Sequence, residues 1–373
     1  MRSPDISYLT DIYFGHGSVE VVPGLLERFG IRRPLLVTDA RLIELGLTAR
    51  LGLAAPATFS GTETNPTEAN LQAGLGCYRQ CGCDGIIAFG GGAALDLAKL
   101  VGLMVGHSPP LEQYAIVHGG TARIHPSVPP IIAIPTTAGS GSEVGRAALL
   151  KLDCGRKLGF LSTHLLPRAA VCDPELTLSL PAGLTAATGM DAISHCVEAY
   201  CSTRVNAVAD AIAIDGLGRG WRAIRGAFAD GTDRAAREQM MQCALMGGLA
   251  FQKGLGAVHS LSHPLGALAG LRLHHGTLNA LFLAPVLRFN YEACASKMDG
   301  LAATMGLGSG SEVPEAFARL VFELGLPCRL RELGVAKEAL APLAQQAVDD
   351  HCSATNPRPL DIEAAQKLYA EAW

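Results

Sequence analysis

Four of the eleven histidines fall in one stretch, GLGAVHSLSHPLGALAGLRLHHGTLNA (254–280): His259, His263, His274 and His275. Glycine, alanine and leucine surround them, so the stretch does not read as a solvated surface. A buried core does not tolerate unpartnered imidazole nitrogens either. A metal ion is the partner such rings call for. A second stretch, TGMDAISHCVEAY (188–200), places Asp191 and His195 at i and i+4, on one helix face. His259 and His263 repeat that spacing, and His275 stands before Gly276, where the next turn of chain returns. One carboxylate and three imidazoles make an N₃O donor set that suits Fe²⁺ or Zn²⁺ with a position open for substrate. The competing reading is a set of core histidines satisfied by internal hydrogen bonds.

A second chemistry is written in AFGGGAALDLAK (88–99). Gly90, Gly91 and Gly92 let backbone approach a pyrophosphate, and the N–H groups at the start of the following helix favour its charge. The stretch is neither G-x-G-x-x-G nor a P-loop, and an ordinary tight strand–helix turn has the same look. Asp96 and Lys99, one turn apart, suit a ribose hydroxyl and a neighbouring polar group. Asp39 ends the run LLVTD, where a carboxylate binds ribose hydroxyls and repels a 2′-phosphate, favouring NAD over NADP; the same residue also suits a helix N-cap. PTTAGSGSE (135–143) adds the hydroxyls of Thr136, Thr137 and Ser140 on a glycine-rich loop.

The elements that must carry these groups fall into two halves. PLLVTD (34–39), GIIAFGGG (85–92) and PIIAIPTTAGSGSE (130–143) are apolar runs that stop at Gly, Asp or Thr, as parallel strands buried on both faces do. Helices fit between them, over 67–81 and 93–105. After CDPELTLSLPAGLTAATG (172–189) the texture becomes helix after helix, over 184–201, 206–227, 233–252 and 256–270. The expectation is an α/β chain: a Rossmann-like open parallel-sheet domain over 1–180 that binds a dinucleotide, then an all-helical, metal-binding domain over 181–373.

Composition narrows the class further. With 49% hydrophobic and 17% charged residues the chain can bury a large core. A net charge of −4 without a basic stripe argues against nucleic acid as partner. The start, MRSPDISYLTDIYFG, lacks the apolar run of a signal peptide, and no run is long enough for a membrane span. The eleven cysteines are scattered without a C-x-x-C pair, and Cys77, Cys81 and Cys83 in CYRQCGC read better as small buried hydrophobes than as a zinc site. A reducing cytoplasm fits that usage.

Taken in order, GGGAALDLAK, PTTAGSGSEV, GMDAISH, HSLSHPLG and HHGTLNA resemble the iron-containing (group III) alcohol dehydrogenases. The resemblance runs from FGHGSV (14–19) through NPT (65–67) to TNP (355–357). It implies an N-terminal dinucleotide domain, a helical metal domain and an active site between them. The family's four metal ligands fall on Asp191, His195, His259 and His275. His263 matches a position beside the nicotinamide that is given a proton-relay role. The pyrophosphate loop falls on Gly90, Gly91 and Gly92, and the NAD-selecting carboxylate on Asp39. Asn65, Thr136, Thr137, Ser140 and Lys157 match further cofactor contacts. Two departures stand out. Ala93 replaces the usual serine after the three glycines, and twelve positions separate His263 from His275 where many relatives have ten, which makes His274 a competitor for the ligand role.

Within the family, IRRPLLVTD, GRKLGF, AVCDPELTL, LPAGLTAATGMDAI and AFQKGLG resemble members that act on short ω-hydroxy acids, and that resemblance implies 4-hydroxybutyrate and its semialdehyde as substrates. Such a substrate needs a cation for its carboxylate, and Arg146, Lys253 and Arg272 are candidates. The implied enzyme is an NAD-dependent dehydrogenase with one divalent metal, Fe²⁺ or Zn²⁺, and the habit of a homodimer. Rivals are a broad alcohol dehydrogenase, a maleylacetate reductase, a 3-dehydroquinate synthase-like NAD/metal lyase, and a binding protein without turnover.

Overall fold

A computed structural model describes residues 10–373. Apolar runs closed by Gly, Thr or Asp become β1 (Asp11–Phe14), β2 (Pro34–Val37), β3 (Ala57–Phe59), β4 (Gly85–Gly90) and β5 (Ile131–Pro135). The antiparallel pair β6 (Ala147–Lys151) and β7 (Lys157–Leu161) and then β8 (Ala169–Cys172) follow. Six strands form one parallel sheet in the order β1-β8-β5-β4-β2-β3. Strand alternation divides the apolar residues between two faces. Leu35, Ile86, Ala88 and Ile131 join one core, and Leu36, Ile87, Phe89 and Ile132 join the other.

Helices cover both faces. α1 (Val22–Arg28) and α2 (Ala40–Glu44) supply Leu25, Leu26 and Leu42 to one core. α3 (Glu68–Gln80) and α4 (Gly92–Gly106) supply Leu71, Leu75, Leu95 and Val101 to the other. α3 starts on a capping box, in which Thr67 and Asn70 satisfy each other's backbone N–H groups.

The second half is helical: α5 (Ala182–Cys201), α6 (Ala207–Ala229), α7 (Arg234–Ala250), α8 (Ala257–Leu265), α9 (His275–Asn290), α10 (Ala295–Met305), α11 (Val313–Glu323), α12 (Leu340–Asp349) and α13 (Ile362–Ala372). From Thr185 to Ala199 α5 is buried on every side, as the central helix of a bundle must be. The chain divides after Leu178, with the helical unit comprising Ser179–Trp373 together with Ala138–Gly141.

Two expected elements end differently. The strand expected over 130–143 stops at Pro135, and its glycine-rich remainder is loop. The helix expected over 256–270 stops at Leu265. Its last i→i−4 bond is Gly266 N–H to Ser262, after which Ala267 and Leu268 bond only three residues back. The β6–β7 hairpin, over 147–161, lies beyond the run ending at 143, in a stretch for which no element was expected. No helix among the described residues is long and apolar enough to cross a membrane.

Candidate metal centre and cofactor loop

α5 carries Asp191, His195 and Glu198 on successive turns of one face, all buried. α8 brings His259 and His263, and α9 opens with His275. The three helices converge on one oxygen. Asp191 Oδ1 lies 4.0 Å from His195 Nε2, 3.9 Å from His259 Nε2 and 3.8 Å from His275 Nε2. These separations exceed a hydrogen bond. Asp191, His195 and His259 bring their donor atoms within 4.8 Å of one another, a group that could hold a cation, and His275 stands 3.8 Å from Asp191 as a fourth donor outside that trio. His275 supplies the third ring, while His274 is the extended residue before α9. Gly276 permits the approach, since a Cβ there would stand 2.2 Å from the Ala187 carbonyl oxygen on α5.

The atoms around this point fit a cation. The Asn279 amide nitrogen lies 2.7 Å from Asp191 Oδ1 and 3.1 Å from both His259 Nε2 and His275 Nε2. Two amide hydrogens face three acceptors, and the fully buried Asn279 Oδ1 has no hydrogen-bond partner. Such a convergence of lone pairs is what a divalent ion satisfies. Burial pulls the His195 imidazole down to about 4 against the opposing pull of Asp191, so the ring is neutral, the form that ligates.

Glu198 was not among the residues singled out in the sequence, although its i+7 spacing from Asp191 puts it on the same face. It grips α8 at two points: Oε1 accepts from Val258 N–H at 2.8 Å, and Oε2 makes a very short contact with His259 Nδ1. That contact leaves His259 Nε2 directed at Asp191. Burial pushes the Glu198 carboxyl up to about 8, with the Val258 N–H and the nearby imidazoles pulling the other way. A cation on Nε2 favours donation from Nδ1 to the ionised carboxylate, the carboxylate–histidine–metal arrangement.

His263 stands apart from the four donors. Its Nδ1 is 2.9 Å from Asp350 Oδ2, and its ring stacks between those of His275 and His351. Asp350, 87 residues away, carries no local sequence signal.

In the α/β half, β4 ends at Gly90 and α4 begins without a side-chain cap. Gly90 has φ +153°, and a Cβ there would meet Ala94 Cβ at 2.8 Å. Gly91 lies against Thr137, and Thr136 N–H bonds the Gly90 carbonyl. Gly92 and Ala93 open α4, whose first N–H groups therefore face the loop, as an anion site requires. Asp39 caps α2 through Leu42 N–H at 3.0 Å, and its other oxygen lies beside Gly90. Lys157 Nζ meets Asn65 Oδ1 at 3.1 Å. Ser140 belongs with the helical unit.

Two expected roles change. Asp96 and Lys99 fasten the following loop: Lys99 Nζ donates to Ser142, Gly145 and Ala147 oxygens within 2.9 Å, and Asp96 accepts from Ser142 Oγ and Leu149 N–H. Lys253 is not available to a substrate carboxylate, because its buried ammonium is held by Asp210 and the Tyr200 carbonyl. Arg146 is buried and Arg272 exposed.

Residues 10–174 match the model of the iron-containing alcohol dehydrogenases, and 185–373 that of the family's C-terminal region. The chain is 49% identical to the 4-hydroxybutyrate dehydrogenase of Cupriavidus necator, over 98% of this chain and 99% of that protein. A solved 1,3-propanediol oxidoreductase is similar with a TM-score of 0.92 at 35% identity, covering 99% of this chain and 100% of the other. A sulfoacetaldehyde reductase from Bifidobacterium kashiwanohense, in complex with NAD⁺, is similar with a TM-score of 0.88 at 26% identity, covering 100% of this chain and 99% of the other.

Proposed function

This chain belongs to the iron-containing alcohol dehydrogenase family, and from that premise we propose that it interconverts 4-hydroxybutyrate and succinic semialdehyde with NAD⁺ and NADH. The observation that carries the chemistry is the single carboxylate oxygen of Asp191 with three imidazole nitrogens 3.8–4.0 Å around it. Asp191, His195, His259 and His275 would hold the divalent ion, iron by family and zinc by the same donor chemistry. When bound, that ion supplies a Lewis acid for the alcohol or aldehyde oxygen. The NAD⁺ of the sulfoacetaldehyde reductase complex supports NAD as hydride acceptor.

The chain's own residues do the rest. The Gly90–Gly92 turn and the start of α4 offer backbone donors to the pyrophosphate, with Thr136, Thr137, Ser140, Asn65 and Lys157 as further contacts. Asp39 retains one oxygen for ribose while the other caps α2. His263 accepts the hydroxyl proton during oxidation and returns it during reduction. With Lys253 committed to Asp210, Arg146 and Arg272 are the two remaining candidates for the substrate carboxylate. A cytoplasmic homodimer completes the proposal; the eleven cysteines, all free, support a reducing compartment.

A steady-state assay of NADH formation tests this reading. 4-Hydroxybutyrate is expected to exceed 1-butanol in kcat/KM at least tenfold, since one charge-assisted contact contributes about 1.5–3 kcal/mol. Equal efficiencies defeat the hydroxy-acid assignment. Absence of net NADH with any alcohol favours the lyase reading.

A further inference from the structure

We propose that Asp350 is the positioning residue of the proton-transfer step: its carboxylate keeps the ring hydrogen of His263 on Nδ1 and so leaves Nε2 as the proton acceptor. The proposal rests on the role given above to His263. Its basis is the set of contacts around Asp350, the first residue beyond α12. Oδ2 lies 2.9 Å from His263 Nδ1, and Oδ1 accepts the Cys352 N–H at 2.9 Å. Both side chains are nearly sealed from water, 4% exposed for His263 and 11% for Asp350.

An ionised carboxylate only accepts, so Nδ1 must carry the hydrogen. Burial alone would raise the Asp350 carboxyl. The imidazoles of His263 and His351 and the hydrogen bonds from His263 and Cys352 outweigh it and hold the carboxyl well below its usual range. The ring itself is fixed by nearly parallel neighbours, His275 at 5.4 Å and 13° and His351 at 5.9 Å and 15°. With its orientation set, the remaining variable is which nitrogen bears the hydrogen.

In the oxidation direction the alcohol O–H bond breaks and its proton goes to Nε2. The C–H electron pair leaves as hydride to NAD⁺ and the C=O bond forms. The proton then passes from Nε2 to solvent, giving RCH₂OH + NAD⁺ → RCHO + NADH + H⁺. Asp350 stays ionised and stabilises the imidazolium in between.

The arrangement makes the isosteric substitution the damaging one. In Asp350→Asn the amide oxygen must face the Cys352 N–H, because that donor is fixed in the backbone. The NH₂ then faces His263 Nδ1, demands a lone pair there, and moves the ring hydrogen to Nε2. We expect Asp350→Asn to lower kcat on the order of 10²–10⁴. Asp350→Ala frees the ring to take either tautomer and is expected to lose only about tenfold, the effect of losing one orienting hydrogen bond to a charged group. Both should retain full metal by elemental analysis, and the asparagine variant should show an enlarged solvent deuterium isotope effect on kcat. A packing role gives the opposite order, with asparagine mild and alanine severe; that order, or an unchanged isotope effect, overturns the proposal. His263→Ala is measured alongside. If it keeps wild-type kcat, the reading of His263 fails; if it is slow while Asp350→Asn is not, only the present inference fails.

Discussion

At the turn from β4 into α4, three glycines and an alanine strip side chains away and leave backbone N–H groups as the working atoms. Around Asp191 the reverse holds: side chains from α5, α8 and α9 converge, and a further layer of Glu198 and Asn279 fixes their atoms. The two regions therefore answer differently to substitution. A backbone site depends on conformation and on whatever braces the loop. A side-chain site depends on each donor and on the group behind it.

The largest effect on the backbone site should come from beneath it. Lys99 is fully buried, and burial pulls its ammonium down to about 8 against the pull of Asp96 and Glu143. Lys99→Ala strands the Asp96 carboxylate and the carbonyls of Ser142, Gly145 and Ala147. We expect a loss of about 3–5 kcal/mol in denaturant unfolding. A change under 1 kcal/mol would mean that backbone alone supports the loop.

On the side-chain site, Glu198→Gln keeps shape while weakening the partner of His259. Metal affinity in chelator competition should fall about 10–100-fold, or roughly 1.4–2.7 kcal/mol. Unchanged affinity would remove Glu198 from the account of the centre.

Asp39 is a carboxylate beside Gly90, and charge repulsion would be its means of selection. Asp39→Gly is expected to raise NADP use relative to NAD at least tenfold, ~1.4 kcal/mol in transition-state terms. An unaltered ratio would leave Asp39 as the cap of α2 alone. The smallest effect is expected at Ala93, the departure from the family's serine. Ala93→Ser should move KM for NAD by less than about twofold, within ±0.5 kcal/mol. A larger gain would show that side chains contribute there after all.

The same contrast explains how much the sequence disclosed. Strand runs and glycine turns have local signatures, so the parallel sheet, the turn at Gly90 and the change to helices near 180 were legible. The i, i+4 pairs Asp191/His195 and His259/His263 were equally plain. Glu198 was legible too, at i+7, but only once the face of α5 was known to be the site. Asp350 acts through a long-range contact that no periodicity marks, while Asn279 sits at i+4 from His275 on α9 but reaches Asp191 and His259 only across the fold. Asp96 and Lys99 looked like ligands for ribose because their spacing is right. Their atoms instead meet the loop 142–149, whose path the sequence does not show. The end of α8 at Leu265 was hidden because the run beyond it stays apolar.

The ligand set is the central claim, and the histidine pair at the start of α9 tests it most directly. His275 Nε2 lies 3.8 Å from Asp191 Oδ1, while His274 is the extended residue before the helix. Elemental analysis of purified His275→Ala, His274→Ala and His263→Ala decides between them. His275→Ala should carry little metal, because three donors do not hold the ion as four do, and the other two variants should retain it. Metal loss in His274→Ala with retention in His275→Ala would contradict the account.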